Sequence, residues 1–111
     1  MQSKDPLPLT EVTFFILLSL AIEAKHGYAI MKEVEELSDG RVLLATGTLY
    51  SALHRMLQDG WIERVRQQQT GTDGRERKFY RLTEAGRRIL DAETARLRRL
   101  TKLSELRQKN A

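Results

Sequence analysis

The sequence predicts a mainly α-helical domain with a small β-hairpin, closed by a long C-terminal helix. Three observations lead there. Apolar residues recur at helical spacing in three windows ahead of Gly60. Two short runs of β-formers, Trp61–Arg66 and Arg77–Leu82, flank a polar loop containing Gly71, Asp73 and Gly74. From Thr83 a single amphipathic pattern continues to about Gln108.

The 111 residues suit one domain with a single core, and 41% hydrophobic residues argue against wholesale disorder. With no cysteine there is neither disulfide nor thiolate metal site, which suits a reducing, cytoplasmic setting. The first residues lack the apolar core of a signal peptide. The apolar stretch Phe14–Ile22 has about half the length that crosses a bilayer, so no membrane association is expected. The net charge is +4, and its distribution says more than its size. Residues 1–40 hold 3 basic and 7 acidic side chains, whereas residues 41–111 hold 16 and 8. The positive field of the second part favours a polyanionic partner, or else is an ordinary solvated surface.

Residues 1–8 hold both prolines and read as a flexible arm. A first helix is expected from Leu9 or Thr10 to about Lys25. Its apolar residues, Phe14, Phe15, Leu18 and Ile22 among them, wrap nearly the whole circumference, so it must be covered on more than one side. In so small a chain this calls for a partner subunit. His26-Gly27 breaks the pattern, and Gly27–Leu37 reads as a second helix with Ile30, Val34 and Leu37 inside. Asp39-Gly40 signals a turn, Arg41–Leu44 suits a short strand, and Thr46 suits the N-cap of a third helix. That helix turns Leu49, Leu53, Met56 and Leu57 inward and ends at Asp59-Gly60. The two β-runs then make the hairpin, with a loop longer than a two-residue turn.

Thr83 suits the N-cap of the last helix, and Glu84 occupies the first turn, where the helix dipole favours an acid. Ile89, Leu90, Ala92, Leu97, Leu100, Leu103 and Leu106 spread over roughly 200° of it, at about 100° per residue. Glu93 and Ser104 fall where a strict heptad seam would want apolar residues. The stripe is wider than a small domain covers, which again points to a homodimer. Phe14, Phe15, Leu18, Ile22, Ile89, Leu90, Leu97, Leu100 and Leu103 are the expected interface.

Helix, helix, short strand, helix, hairpin, long helix is the order of a winged helix-turn-helix. Residues 9–82 are expected to form it and residues 83–111 a dimerisation helix. In this arrangement one helix enters the major groove of double-stranded DNA and the preceding one crosses the backbone. Thr48, Ser51, His54, Arg55 and Gln58 lie on the exposed face of the third helix, with Thr46 at its start. They carry donors and acceptors suited to base edges or phosphates. Arg64, Arg66, Arg75, Arg77 and Lys78 make the hairpin basic, and Gln67, Gln68 and Gln69 add neutral polar groups. Two histidines on separate elements support neither a catalytic triad nor a zinc site. Gly71-Thr72-Asp73-Gly74 lacks the Lys-Ser/Thr that a phosphate-cradling loop requires. Neither an enzyme nor a cofactor is expected.

His26-Gly27-Tyr28 opens the second helix, and Gly47-Thr48-Leu49-Tyr50 is followed by Ala52-Leu53 and Arg55. Gly60 precedes the apolar pair Trp61-Ile62, and Arg77-Lys78-Phe79-Tyr80-Arg81-Leu82-Thr83 is followed by Gly86. With these motifs at this spacing the chain resembles PadR-type transcriptional regulators, from roughly Leu9 to Leu100. The resemblance implies a homodimeric regulator, usually a repressor, whose C-terminal helix pairs with the partner subunit near its first helix. Some members bind phenolic acids or flat hydrophobic drugs at the dimer centre and then release DNA, so a small hydrophobic effector is a further implied partner. Two departures stand out. Ser51 occupies a position where a proline often follows the tyrosine, which adds a candidate DNA contact. The last helix holds no aromatic residue, which speaks against an aromatic stacking site for flat drugs.

Thr48, Ser51 and Arg55 are the leading candidates for groove contacts, and Arg55 suits either a guanine or a phosphate. Tyr50 suits a phosphate contact or packing against the hairpin. Tyr28 and Lys32 are candidate backbone contacts. His26 either simply precedes the turn or acts as a pH-sensitive group, and Trp61 reads as core. A different reading is a winged-helix module for protein–protein contact without DNA.

Overall fold

Thr10 starts the first helix. Its Oγ1 accepts the Thr13 amide at 3.2 Å and so caps α1 (Glu11–Ser19). In this computed structural model, which describes residues 6–66 and 78–109, there follow β1 (Lys25–His26), α2 (Gly27–Leu37), α3 (Thr46–Gln58), β2 (Ile62–Val65), β3 (Phe79–Leu82) and α4 (Glu84–Lys109). The strands form an antiparallel sheet in the order β1-β3-β2. The expected arm is described only from Pro6. The loop expected over Gln67–Glu76, with Arg75, and Arg77 after it, lies outside the described residues.

The core gathers one face from each element. Ile16 and Leu17 of α1, Ile30 and Val34 of α2, and Leu49, Leu53 and Met56 of α3 are at most 2% exposed. Ile62 and Tyr80 close it from the hairpin and Leu90 from α4. Fully burying each such aliphatic side chain stabilises the fold by about 1.5–3 kcal/mol, so the helical periodicities of α2 and α3 suffice to dock them. A reversal of the backbone ends α3. The Trp61 amide reaches back to the Met56 carbonyl at 3.0 Å, and that of Gly60, at φ 76°, reaches the Leu57 carbonyl.

The structure corrects four expectations. The first helix stops at Ser19 rather than near Lys25. Ser19 Oγ donates to the Ile16 carbonyl, and the Leu20 and Ala21 amides tighten onto carbonyls three residues back. Lys25 and His26 are drawn instead into the sheet, opposite Tyr80 and Phe79. Ile22, counted with the helix, is therefore 92% exposed on the connection. Second, Arg41–Leu44 forms no strand. The Val42 amide donates to Ser38 Oγ at 2.9 Å, and Leu44 turns into the core as an anchor for the loop. Third, the N-cap of α3 is Ala45, with no side-chain bond, and Thr46 is already helical. Fourth, Leu37 is 43% exposed, because the α2 stripe ends at Val34.

At the base of α4, Thr83 Oγ1 accepts the Gly86 amide at 3.1 Å, as an N-cap should. Arg87 donates to the Ala21 carbonyl at 2.8 Å, tying α4 to the end of the α1 segment. Leu90, expected at the dimer interface, instead packs in its own core at 5% exposure. Glu93 is 2% exposed and accepts the Leu9 amide at 2.9 Å, while Arg96 grips both its oxygens. Beyond it, every described residue from Leu97 to Lys109 is exposed. No helix among the described residues is long and apolar enough to cross a membrane.

Candidate nucleic-acid interface

Helix α3 has two faces. Leu49, Ala52, Leu53 and Met56 are buried, and Thr48, Ser51, His54, Arg55 and Gln58 are exposed, as the spacing requires. Thr46 and Gly47 are exposed at its start. Thr48, Ser51 and Arg55 form one wall of an open groove whose other wall is Thr10, Val12 and Thr13 of the α1 start. Arg55 also reaches an adjoining hollow of about 160 Å³ lined by Pro6, Leu9 and Trp61. Sequence reasoning did not single out Thr10 and Thr13. The available signal was a threonine ahead of an apolar run, which marks a helix cap and not a groove.

The charges sort into tied and untied. Glu11 and Arg41 form a two-pronged pair, and the guanidinium holds the Glu11 carboxyl below its ordinary range, so the acid beside the groove is neutralised. Across the hairpin Arg81 pairs with Glu63 at 2.6 Å. Tyr80 is raised above the ordinary phenol value, chiefly by burial, against the opposing charge and hydrogen bond of Arg64 beside it. Thus Arg41, Arg64 and Arg81 serve the fold. Lys32, Arg55, Arg66 and Lys78 are exposed and have no hydrogen-bond or ion-pair partner among the described residues. Tyr28 at the start of α2 is 69% exposed, and Tyr50 is 46% exposed.

Tyr50 does not point straight at solvent. A Cβ on Gly27 would lie 2.5 Å from the Tyr50 hydroxyl oxygen, so the glycine makes room for it at the α2 N-terminus. Gly27 and Tyr50, from two separate motifs, are therefore parts of one joint. Gly86 and Trp61 form another, where α4 lies on the chain that enters β2. No group of histidine, cysteine and acidic side chains suited to a metal ion occurs among the described residues.

A helix pair whose second helix shows polar and cationic groups, beside a β-ribbon wing, is a winged helix-turn-helix. Residues 16–92 match the transcriptional regulator PadR-like family. The chain belongs to the PadR-like family. It is similar to the transcriptional regulator Rv3488 of Mycobacterium tuberculosis, 38% identical over 91 residues that cover 82% of this chain and 79% of the relative. It is also 34% identical to an uncharacterized 37.1 kDa protein in a Streptomyces fradiae transposon, again over 82% of this chain but spanning only 24% of that protein. Among solved structures, a PadR family regulator of Clostridium difficile R20291 superposes with a TM-score of 0.73 at 28% identity, over 87% of this chain and 97% of that one. Bacillus subtilis PadR, solved in complex with operator DNA, shares the fold with a TM-score of 0.64 at 23% identity, over 75% of this chain and 46% of that one. PadR-like proteins are transcriptional regulators, not enzymes.

Proposed function

We propose that this PadR-like chain is a repressor that binds a two-fold symmetric operator as a homodimer. The observation that carries the proposal is the α3 face: Thr48, Ser51 and Arg55 line one open groove while Leu49, Leu53 and Met56 lock the opposite face to the core. Base edges in the major groove match those side chains, and Lys32, Arg66 and Lys78 flank them for phosphates. The B. subtilis relative was solved on operator DNA, which supports the reading. Dimerisation is supported by Leu97, Leu100 and Leu103, 38–55% exposed on α4, and by Phe14, Phe15, Leu18 and Ile89, which are only partly buried in their own chain. Family likeness extends the proposal to release by a small hydrophobic effector, and the absence of aromatic residues from α4 argues against a flat stacked drug.

The test is binding to random and selected duplexes across a salt series. A dimer making about 6–10 phosphate contacts loses roughly 10³–10⁵ in affinity between about 50 and 200 mM salt. We expect that slope on both duplexes and tighter binding to the selected one. No binding even at low salt sinks the proposal and favours a protein–protein module.

A further inference from the structure

His26-Gly27 lies where the three parts of the reading face meet. The His26 backbone pairs with Phe79 of β3, and its ring stands edge-on to the Phe79 ring, with centroids 5.3 Å apart and planes at 87°. Its Nδ1 accepts the Ala29 amide at 3.2 Å, which makes the imidazole the N-cap of α2. The next residue, Gly27, receives Tyr50 from α3. Helix caps are ordinarily Asn, Asp, Ser or Thr, whose oxygens accept a hydrogen bond at any neutral pH. An imidazole does the same only while Nδ1 keeps its lone pair. A second proton sets donor against donor and places a cation at the positive end of the helix.

We propose that neutral His26 is a positioning residue for DNA binding: it fastens the first turn of α2, with Tyr28, to the wing strand, and its protonation loosens the reading face. This rests on the DNA-binding reading above. Among the described residues, charged and titratable groups lie on each element packed around it, with Arg81 on β3 and Glu35 and Glu36 further along α2. Lys25 on β1 is paired with Glu33 of α2 at 3.1 Å and with Glu23 at 3.8 Å. Tyr28 lies on α2, Tyr50 on α3, Tyr80 on β3, and Lys78 just ahead of β3. The contact holds while the imidazole is neutral and is lost as the ring gains its second proton. His54, the second histidine, is exposed on the same face of α3 as Thr48, Ser51 and Arg55, so it is replaced to leave His26 alone under test.

The experiment therefore uses the full chain with His54→Gln, with and without His26→Asn, an uncharged cap that does not titrate. Affinity for a duplex selected from a random pool is measured from about pH 8 to about pH 5.5 at constant ionic strength. The His54→Gln protein should lose roughly five-fold or more in affinity across that range, the scale of one lost helix cap, and the double variant should stay flat. Equal profiles overturn the proposal and leave DNA binding standing. Absence of binding by the unsubstituted chain at the alkaline end overturns the DNA-binding reading itself, and this proposal with it. In the free protein, nitrogen NMR should show an unprotonated His26 Nδ1 near neutrality; a protonated Nδ1 there overturns the cap.

Discussion

Gly86 shows how one missing methyl sets the approach of two elements. A Cβ there would lie 2.0 Å from the Trp61 carbonyl oxygen and 2.9 Å from its carbon, backbone atoms that cannot rotate aside. Helix propensity alone favours alanine over glycine by about 1 kcal/mol. Overpacking against fixed backbone opposes it, and we expect Gly86→Ala to lose about 2 kcal/mol or more net. Thermal unfolding of the purified protein checks this, and an unchanged or higher Tm would show that α4 can slide off Trp61. Gly27 is the contrasting case. Its neighbour is the far end of the Tyr50 side chain, which can swing, so a methyl there displaces a candidate DNA-contacting group rather than the backbone.

Glu93 works at the scale of elements. From the sequence it reads as a flaw in an apolar seam. In the fold it is an acceptor that holds the chain ahead of α1 against α4, with Arg96 supplying charge. The Arg96 hydrogen bonds outweigh burial, which pushes the other way, and with the Leu9 amide they hold the carboxyl below its ordinary range. A lowered folded value means the stabilisation is fully present above the unfolded carboxyl value of about 4.3 and is lost as pH falls through the lowered one. Glu93→Gln should cost about 1–2 kcal/mol near neutrality, towards the low end because Arg96 partly reaches solvent. Its stability should then fall less steeply than the parent's below about pH 4, as denaturant unfolding across that range will show. A loss that persists unchanged into acid would mean the charge is not what matters. The same scale shows what could be read in advance. The bounds of α2, the inner face of α3 and the Thr83 cap each follow from periodicity or cap chemistry. The strand β1 does not, since two residues carry no period and their partners lie at Phe79 and Tyr80. Nor does the end of α1, which is decided by Ser19 bonding its own turn and by the pull of the sheet on Lys25. The exposed α3 residues could be read, but the groove wall opposite them could not, because only folding brings Thr10 and Thr13 there.

At the scale of the whole molecule, apolar surface is left over at one end. Leu97 and Leu100 are 38% and 48% exposed and lie beyond the contacts that hold α4 to its own domain. Replacing both with glutamate therefore spares the fold and charges the proposed interface. We expect Leu97→Glu with Leu100→Glu to sediment as a folded monomer, and a persisting dimer would place the interface elsewhere. The opposite end of the molecule has a practical bearing. Glu93 holds the Leu9 amide, and Pro6 and Leu9 line the hollow that Arg55 also borders, so the described chain begins beside the α3 face. The described chain thus enters beside Arg55 and ends at the far tip of α4, so a single buried carboxylate decides which end of the molecule lies against the α3 face, the end that a fusion partner should avoid.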